Sequence, residues 1–166
     1  MIRTAIREDA ANLASLIKQV ETESDYMLYE SAERNISAEK QATMIDRLSA
    51  EENSTILVSE INHQLVGYLF VIGGNARRNQ HCAYIVIGIL SSYQGKSIGT
   101  TMFEELEHWA LNQKIHRLEL TVVKENRSGL KLYEKMGFNI EGTKKDSLYI
   151  DGKYYDEYYM SKLLEG

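Results

Sequence analysis

The stretch from Gln94 to Thr100 holds the residues best placed to do chemistry. Gly95 and Gly99 bracket Lys96, Ser97 and Ile98 just after the apolar run Ala83–Leu90. Helical spacing of Ile98, Met102, Leu106, Trp109 and Ala110 follows. A strand feeding a helix through a glycine-bearing loop aims several backbone N–H groups at one point. The helix dipole adds about half a positive charge there. Such a turn suits a phosphate or pyrophosphate. Gly95-Lys96-Ser97 looks like the end of a triphosphate-binding loop, but that motif needs a glycine where this chain has Leu90. No Gly-x-Gly-x-x-Gly is present either, so both nucleotide readings fall away.

The elements that must position this loop follow from periodicity. Ile2–Ile6 reads as a short strand, and Asp9 as the N-cap of a helix carrying Leu13, Leu16, Ile17 and Val20. The 21–33 stretch has five acids and no base, and reads as loop or broken helix. Ser37 caps a second helix. Ser54–Glu60 and Gln64–Ile72 form a hairpin about Asn62-His63. Ala83–Leu90 suits a central strand buried on both faces, with Gly88 marking a bulge or a close approach. His116–Val123 alternates as a strand, Asn126 caps a helix that Gly137 ends, and Phe138–Thr143 begins another strand. Asp151-Gly152 turns a hairpin between Leu148–Ile150 and Tyr154–Met160. The fold class is α/β, or α+β with a mixed sheet, in one domain spanning residues 1–166.

Composition narrows the function. Of the 166 residues 43% are hydrophobic and 26% charged, as in an ordinary globular domain. The net charge of −5 argues against nucleic acid as partner. No apolar run reaches the roughly 18 residues of a membrane span, and the N-terminus is too short and polar for a signal peptide. A cytoplasmic setting with no membrane partner is the expectation. Residues 1–60 hold twelve acids and six bases. That surplus is either a solvated helical surface or the lining of a site for a cationic amine. Cys82 is the single cysteine, and His63, His81, His108 and His116 show no ligand spacing, so no metal is expected.

Two blocks carry a family resemblance. Ile87 through Thr100 resembles the acetyl-CoA motif of the GNAT superfamily of N-acetyltransferases, written Gln/Arg-x-x-Gly-x-Gly/Ala. Gln94 and Gly99 match it, and Ser97 stands at the first glycine. Asn126 through Phe138 resembles the family's Asn-x-x-Ala-x-x-Leu-Tyr-x-x-x-Gly-Phe, with Gly129 for the alanine. The resemblance implies a GNAT-like fold of about six or seven strands flanked by about four helices. It also implies acetyl-CoA as cosubstrate and direct acetyl transfer to a primary amine. The acceptor would be a small amino-acid-like molecule, a polyamine or a protein N-terminus.

By the same resemblance, Gln94, Gly95, Lys96, Ser97, Ile98, Gly99 and Thr100 bind the pyrophosphate. Ile87 and Ile89 bind the pantetheine arm through a strand that splays from its neighbour, and Asn126 contacts the cofactor. Tyr133 is the general acid for the leaving thiolate. Its phenol, with a reference pKa of about 10, stays protonated above a thiol of about 8.5. Glu119 is the candidate general base, with Glu30 and Glu33 as rivals. A non-catalytic acyl-CoA-binding module is the alternative, and the tyrosine-rich tail is a candidate homodimer surface.

Overall fold

A computed structural model describes residues 1–30 and 33–165. The elements run β1 (Ile2–Thr4), α1 (Ala10–Glu23), α2 (Ala38–Ser49), β2 (Thr55–Ile61), β3 (Gln64–Gly73), β4 (Cys82–Ile89), α3 (Ile98–Asn112), β5 (Arg117–Val123), α4 (Arg127–Lys135), β6 (Asn139–Ile150) and β7 (Lys153–Leu163). Seven strands form one sheet in the order β1-β2-β3-β4-β5-β7-β6. Only β4 and β5 pair in parallel; every other pairing is antiparallel. The mixed sheet and the four helices are those expected. Among the described residues no helix is long and apolar enough to cross a membrane.

Two helical layers cover the sheet, and β3 shows which is which. A Cβ on Gly67 would lie 3.3 Å from Met102 Sδ of α3. Its neighbour Tyr68, pointing the other way by the strand's period of two, faces α1. Met102, Phe103 and Leu106 of α3 are fully buried on one side, and Leu13, Ile17 and Leu48 of α1 and α2 on the other.

Three local expectations change. Asp9 does not cap α1. The chain enters through a 3-10 turn over Arg7–Asp9, and the Asp9 carboxylate turns back to accept from Ile6 N (2.8 Å) and from both Arg3 Nη atoms (2.8 Å). Arg3, the stronger of these partners, and Ile6 N together hold that carboxyl below its ordinary range. The central strand β4 is not buried on both faces, since Tyr84 is exposed and Val86, Ile87 and Ile89 are half-buried. Gly88 lies in unbroken register with β3, so it marks a close approach rather than a bulge. The segments expected around residues 138–150 form one long β6, kinked by irregularities at Ile140/Gly142 and Lys144/Leu148.

Turns and caps otherwise follow the side chains. Asn62-His63 and Asp151-Gly152 both place two successive residues at positive φ, the geometry of two-residue hairpins. Ser37 accepts from Lys40 N (3.1 Å), and Gly137 closes α4 at φ 92°.

Candidate active site

The site begins where the sheet opens. β4 and β5 pair only at Cys82–Arg117, Ala83–Leu118 and Tyr84–Glu119. Both strands continue beyond, to Ile89 and Val123, without pairing each other. The edge of β4 from Ile85 onward therefore presents backbone groups to an opening instead of to β5. Ile87 and Ile89 line that opening, as expected of a splayed strand. It continues into a cleft of about 620 Å³ between the end of α1, the loop after β4, and α3 and α4.

The loop after β4 turns the cleft toward the α3 N-terminus. Gln94 Nε2 donates to Ile89 O (3.3 Å), tying the loop to the strand end. Gly95 and Ser97 both take left-handed backbone, at φ 74° and 66°. The backbone thus explains why glycine suits position 97: the αL region costs an L-residue roughly 1–2 kcal/mol. Ser97 makes no side-chain cap to α3. The N–H groups of Ile98, Gly99 and Thr100 open the helix, where an anion is favoured. A Cβ on Gly95 would meet nothing within 4 Å, so the loop faces open space. Gly99 has a different reason to be small, because its Cβ would lie 2.7 Å from Leu132 of α4.

Cationic groups ring this end. Lys96 Nζ lies 5.2 Å from the centre of the Tyr93 ring. Lys135 Nζ donates to Thr100 Oγ1 (3.3 Å), and Lys131 lines the cleft one turn earlier on α4. The sequence expectations did not include either α4 lysine; their i, i+4 spacing, which puts both on one face of the helix, was the available signal. Amide donors, lysines and open space together fit a pyrophosphate-bearing ligand such as acetyl-CoA.

Asn126 caps α4 by accepting from Gly129 N (3.1 Å), and it also lines the cleft. A Cβ at 129 would stand 2.7 Å from Asn126 Nδ2, so Gly129 gives this cap its room. One turn on, Tyr133 lines the cleft with its ring edge-on to Phe103 (5.8 Å) and tilted against Phe138 (6.3 Å). Its hydroxyl has no hydrogen-bond partner among the described residues. Burial pushes the phenol up to about 12, and Tyr84 adds to the shift.

The carboxylates are distributed differently. Glu119 lies outside the cleft lining, on the face that carries Tyr84 and Thr121, whose hydroxyls are 2.8 Å apart. Its Oε2 accepts from Arg117 Nε (2.7 Å), and Arg117 also forks onto Glu141 (2.6 and 3.0 Å). Glu30 and Glu33 are exposed and stand away from the cleft. Within the acidic stretch, Glu21 is buried and held by Arg34 Nη2 (2.6 Å). Glu23 accepts from Ser91 N (2.8 Å), which holds its carboxyl below the ordinary range. It thereby fastens the end of α1 to the start of the loop after β4. Residues 31 and 32 of that stretch lie outside the described residues. Cys82 is half-buried, and burial pushes its thiol up, away from the thiolate. Among the described residues no three His, Cys, Asp or Glu side chains gather as a metal site.

Known proteins resemble the chain in sequence and in fold. The chain is 30% identical over 122 residues to an L-amino acid N-acetyltransferase of Escherichia coli, covering 71% of this chain and 74% of that one. Its fold superposes on an acetyltransferase of the GNAT family from Streptococcus pneumoniae with a TM-score of 0.95, at 29% identity and 99% coverage of both chains. It also matches an acetyltransferase from Salmonella typhimurium solved with its cofactor acetyl-CoA, at a TM-score of 0.89, 17% identity, and 99% and 94% coverage. The sequence profile of the Acetyltransferase (GNAT) family matches residues 20–138, taking in both the loop after β4 and Tyr133. The chain is an acyltransferase and belongs to the GNAT family.

Proposed function

We propose that the chain moves an acetyl group from acetyl-CoA to the primary amine of a small amino-acid-like molecule or a protein N-terminus, by direct attack in a ternary complex. The observation that carries this reading is the opening between β4 and β5, which leads from the phosphate loop to the Tyr133 hydroxyl. The α3 N-terminus, Lys131 and Lys135 receive the pyrophosphate. The open edge of β4 at Ile87–Ile89 takes the pantetheine arm and polarises the thioester carbonyl. Acetyl-CoA supplies the activated acetyl group, and the chain's own groups place it and manage protons. Tyr133 gives its proton to the departing thiolate, since its phenol stays protonated across the neutral range.

Glu119 collects the amine's proton from the face opposite α4. Its engagement with Arg117 suits an acceptor that needs little help from a base. An α-amino group of pKa about 8 is already roughly 10% neutral at pH 7. The burial of Glu21 against Arg34 removes it as a docking charge for a cation, which favours the amino-acid-like acceptor over a polyamine. The E. coli relative, by its name, works on L-amino acids, in agreement.

The test is CoA release with amino acids, N-terminal peptides and polyamines side by side, for the parent and Tyr133→Phe. The parent is expected to acetylate α-amines. The variant is expected to lose roughly 100-fold or more in kcat with acetyl-CoA affinity unchanged. Parental kcat in the variant would remove Tyr133 from the acid role. No turnover with any amine would leave a binding module.

A further inference from the structure

Tyr68 has no role in the motifs, yet it is the most enclosed phenol beside the reaction centre. It is 2% exposed and lies directly opposite Gly88 in the β3–β4 register. A Cβ built on Gly88 would fall 2.5 Å from both Cζ and the hydroxyl oxygen of Tyr68. The ring therefore crosses over Gly88 and ends against β4, where the strand lines the cleft. Buried phenols ordinarily have a hydrogen-bond partner. The Tyr68 hydroxyl has none among the described residues. Among the described residues Gln41 Oε1 is the one fully enclosed side-chain oxygen without a partner, so the Tyr68 oxygen is not completely sealed off. Gly88, over which the hydroxyl ends, lines the cleft, whereas Tyr68 itself lies behind that lining.

The direction of approach matters. Tyr133 comes from α4, on the layer of α3, packed on Phe103 and Phe138. Tyr68 comes from the layer of α1, with the Glu21–Arg34 pair behind it. Burial, followed by the Glu21 charge, pushes its phenol up, so it stays protonated; Arg34 acts weakly the other way and Tyr133 adds a little. Two protonated hydroxyls thus flank the splay from opposite sides of β4. One is placed for the leaving sulfur, and the other for whatever enters from the opposite side.

We propose that Tyr68 is a positioning residue for the acceptor: its hydroxyl oxygen accepts a hydrogen bond from the incoming amine's N–H and aims the nitrogen lone pair at the thioester carbonyl. This rests on the amine-acetylation reading above. Tyr68→Phe removes an oxygen with no protein partner, so a merely structural role predicts an unchanged melting temperature and unchanged kinetics. The acceptor role gives a split. kcat/KM for the amine falls about tenfold, the size of one hydrogen bond. Acetyl-CoA Kd and the slow hydrolysis of acetyl-CoA without acceptor stay at parental values. An unchanged kcat/KM for the amine overturns the proposal. So does an equal loss of acetyl-CoA affinity, which would put the hydroxyl on the cofactor side. The parent, run with the same amines, separates the two levels: turnover there with an unaffected variant sinks only the Tyr68 role, whereas a silent parent sinks the reading beneath it as well.

Discussion

At the scale of single residues, the two departures from the family pattern differ: Gly129 has a local cause, and Ser97 carries a local cost. Ser97 occupies a left-handed position that glycine adopts freely. Replacing it with glycine removes roughly 1–2 kcal/mol of backbone strain but adds about 0.5–1 kcal/mol of unfolded-chain entropy. The strain relief is the larger effect, so Ser97→Gly is expected to raise the melting temperature by about 1–3 °C in a thermal scan. A lower melting temperature would mean that the hydroxyl holds the loop together. Acetyl-CoA affinity, measured on the parent and on Ser97→Gly, reads whether the serine oxygen contacts the ligand: a weaker variant would show that it does. Gly129 departs from alanine for a different reason, the space its neighbour Asn126 fills. That the loop after β4 and Tyr133 belong to one site was suggested by sequence blocks of recurring type and spacing, and the structure brings both to one cleft. Tyr68 was not legible. Nothing in the order of residues says that a strand tyrosine will cross over a glycine twenty positions later. That fact belongs to the register of β3 on β4.

At the scale of elements, the β6–β7 hairpin shows how surface charge is tied to the sheet. Glu141 Oε2 accepts from Ser161 Oγ (2.6 Å) and Arg117 Nη1 (3.0 Å), and Arg117 Nη2 takes Oε1 (2.6 Å). Arg117 first and then Ser161 lower the Glu141 carboxyl to about 2. An unfolded glutamate titrates near 4.3. The folded state prefers the charged form, so this contribution is complete above about pH 4.5 and is lost as pH falls toward about 2. Glu141→Gln is therefore expected to flatten the acid side of a melting-temperature profile between those limits and leave activity near neutrality in place. The effect should be modest, since the carboxylate is partly solvated. A profile as steep as the parent's would show that the fork adds nothing. Element types and order followed from hydrophobic period, caps and the two hairpin turns. What period could not supply was the 3-10 entry to α1, where Arg3 draws Asp9 away from capping, or the fusion of two short strands into one kinked β6.

At the scale of the whole molecule, the sheet divides into two parts joined by three residue pairs between β4 and β5. The β1–β4 part carries α1 and α2, and the β5–β7 part carries the exposed Tyr154 and Tyr159. Tyr26, beyond the end of α1, packs edge-on to Tyr155 of β7 at 6.1 Å, which reconnects the two parts. The long-range pairing that makes this frame was implied by the family resemblance and not by any local pattern.

The unpaired edge of β4 also has a consequence for local stability. Amides from Ile85 to Ile89 that face the gap have no strand to shelter them, so they should exchange with deuterium faster than those on the β3 side. A ligand seated in the gap acts as a missing rung of the ladder. Acetyl-CoA at about 100 times its Kd should add about 2.7 kcal/mol to unfolding and raise the melting temperature by roughly 5–10 °C. The slowing of exchange should concentrate at Ile87–Ile89 and at Ile98–Thr100. Protection spread evenly over the chain, or confined to α3, would mean that the strand edge plays no part in holding the cosubstrate. With exchange slowed at the expected positions, a short joint inside the sheet would also be the place where the ligand adds most to local stability.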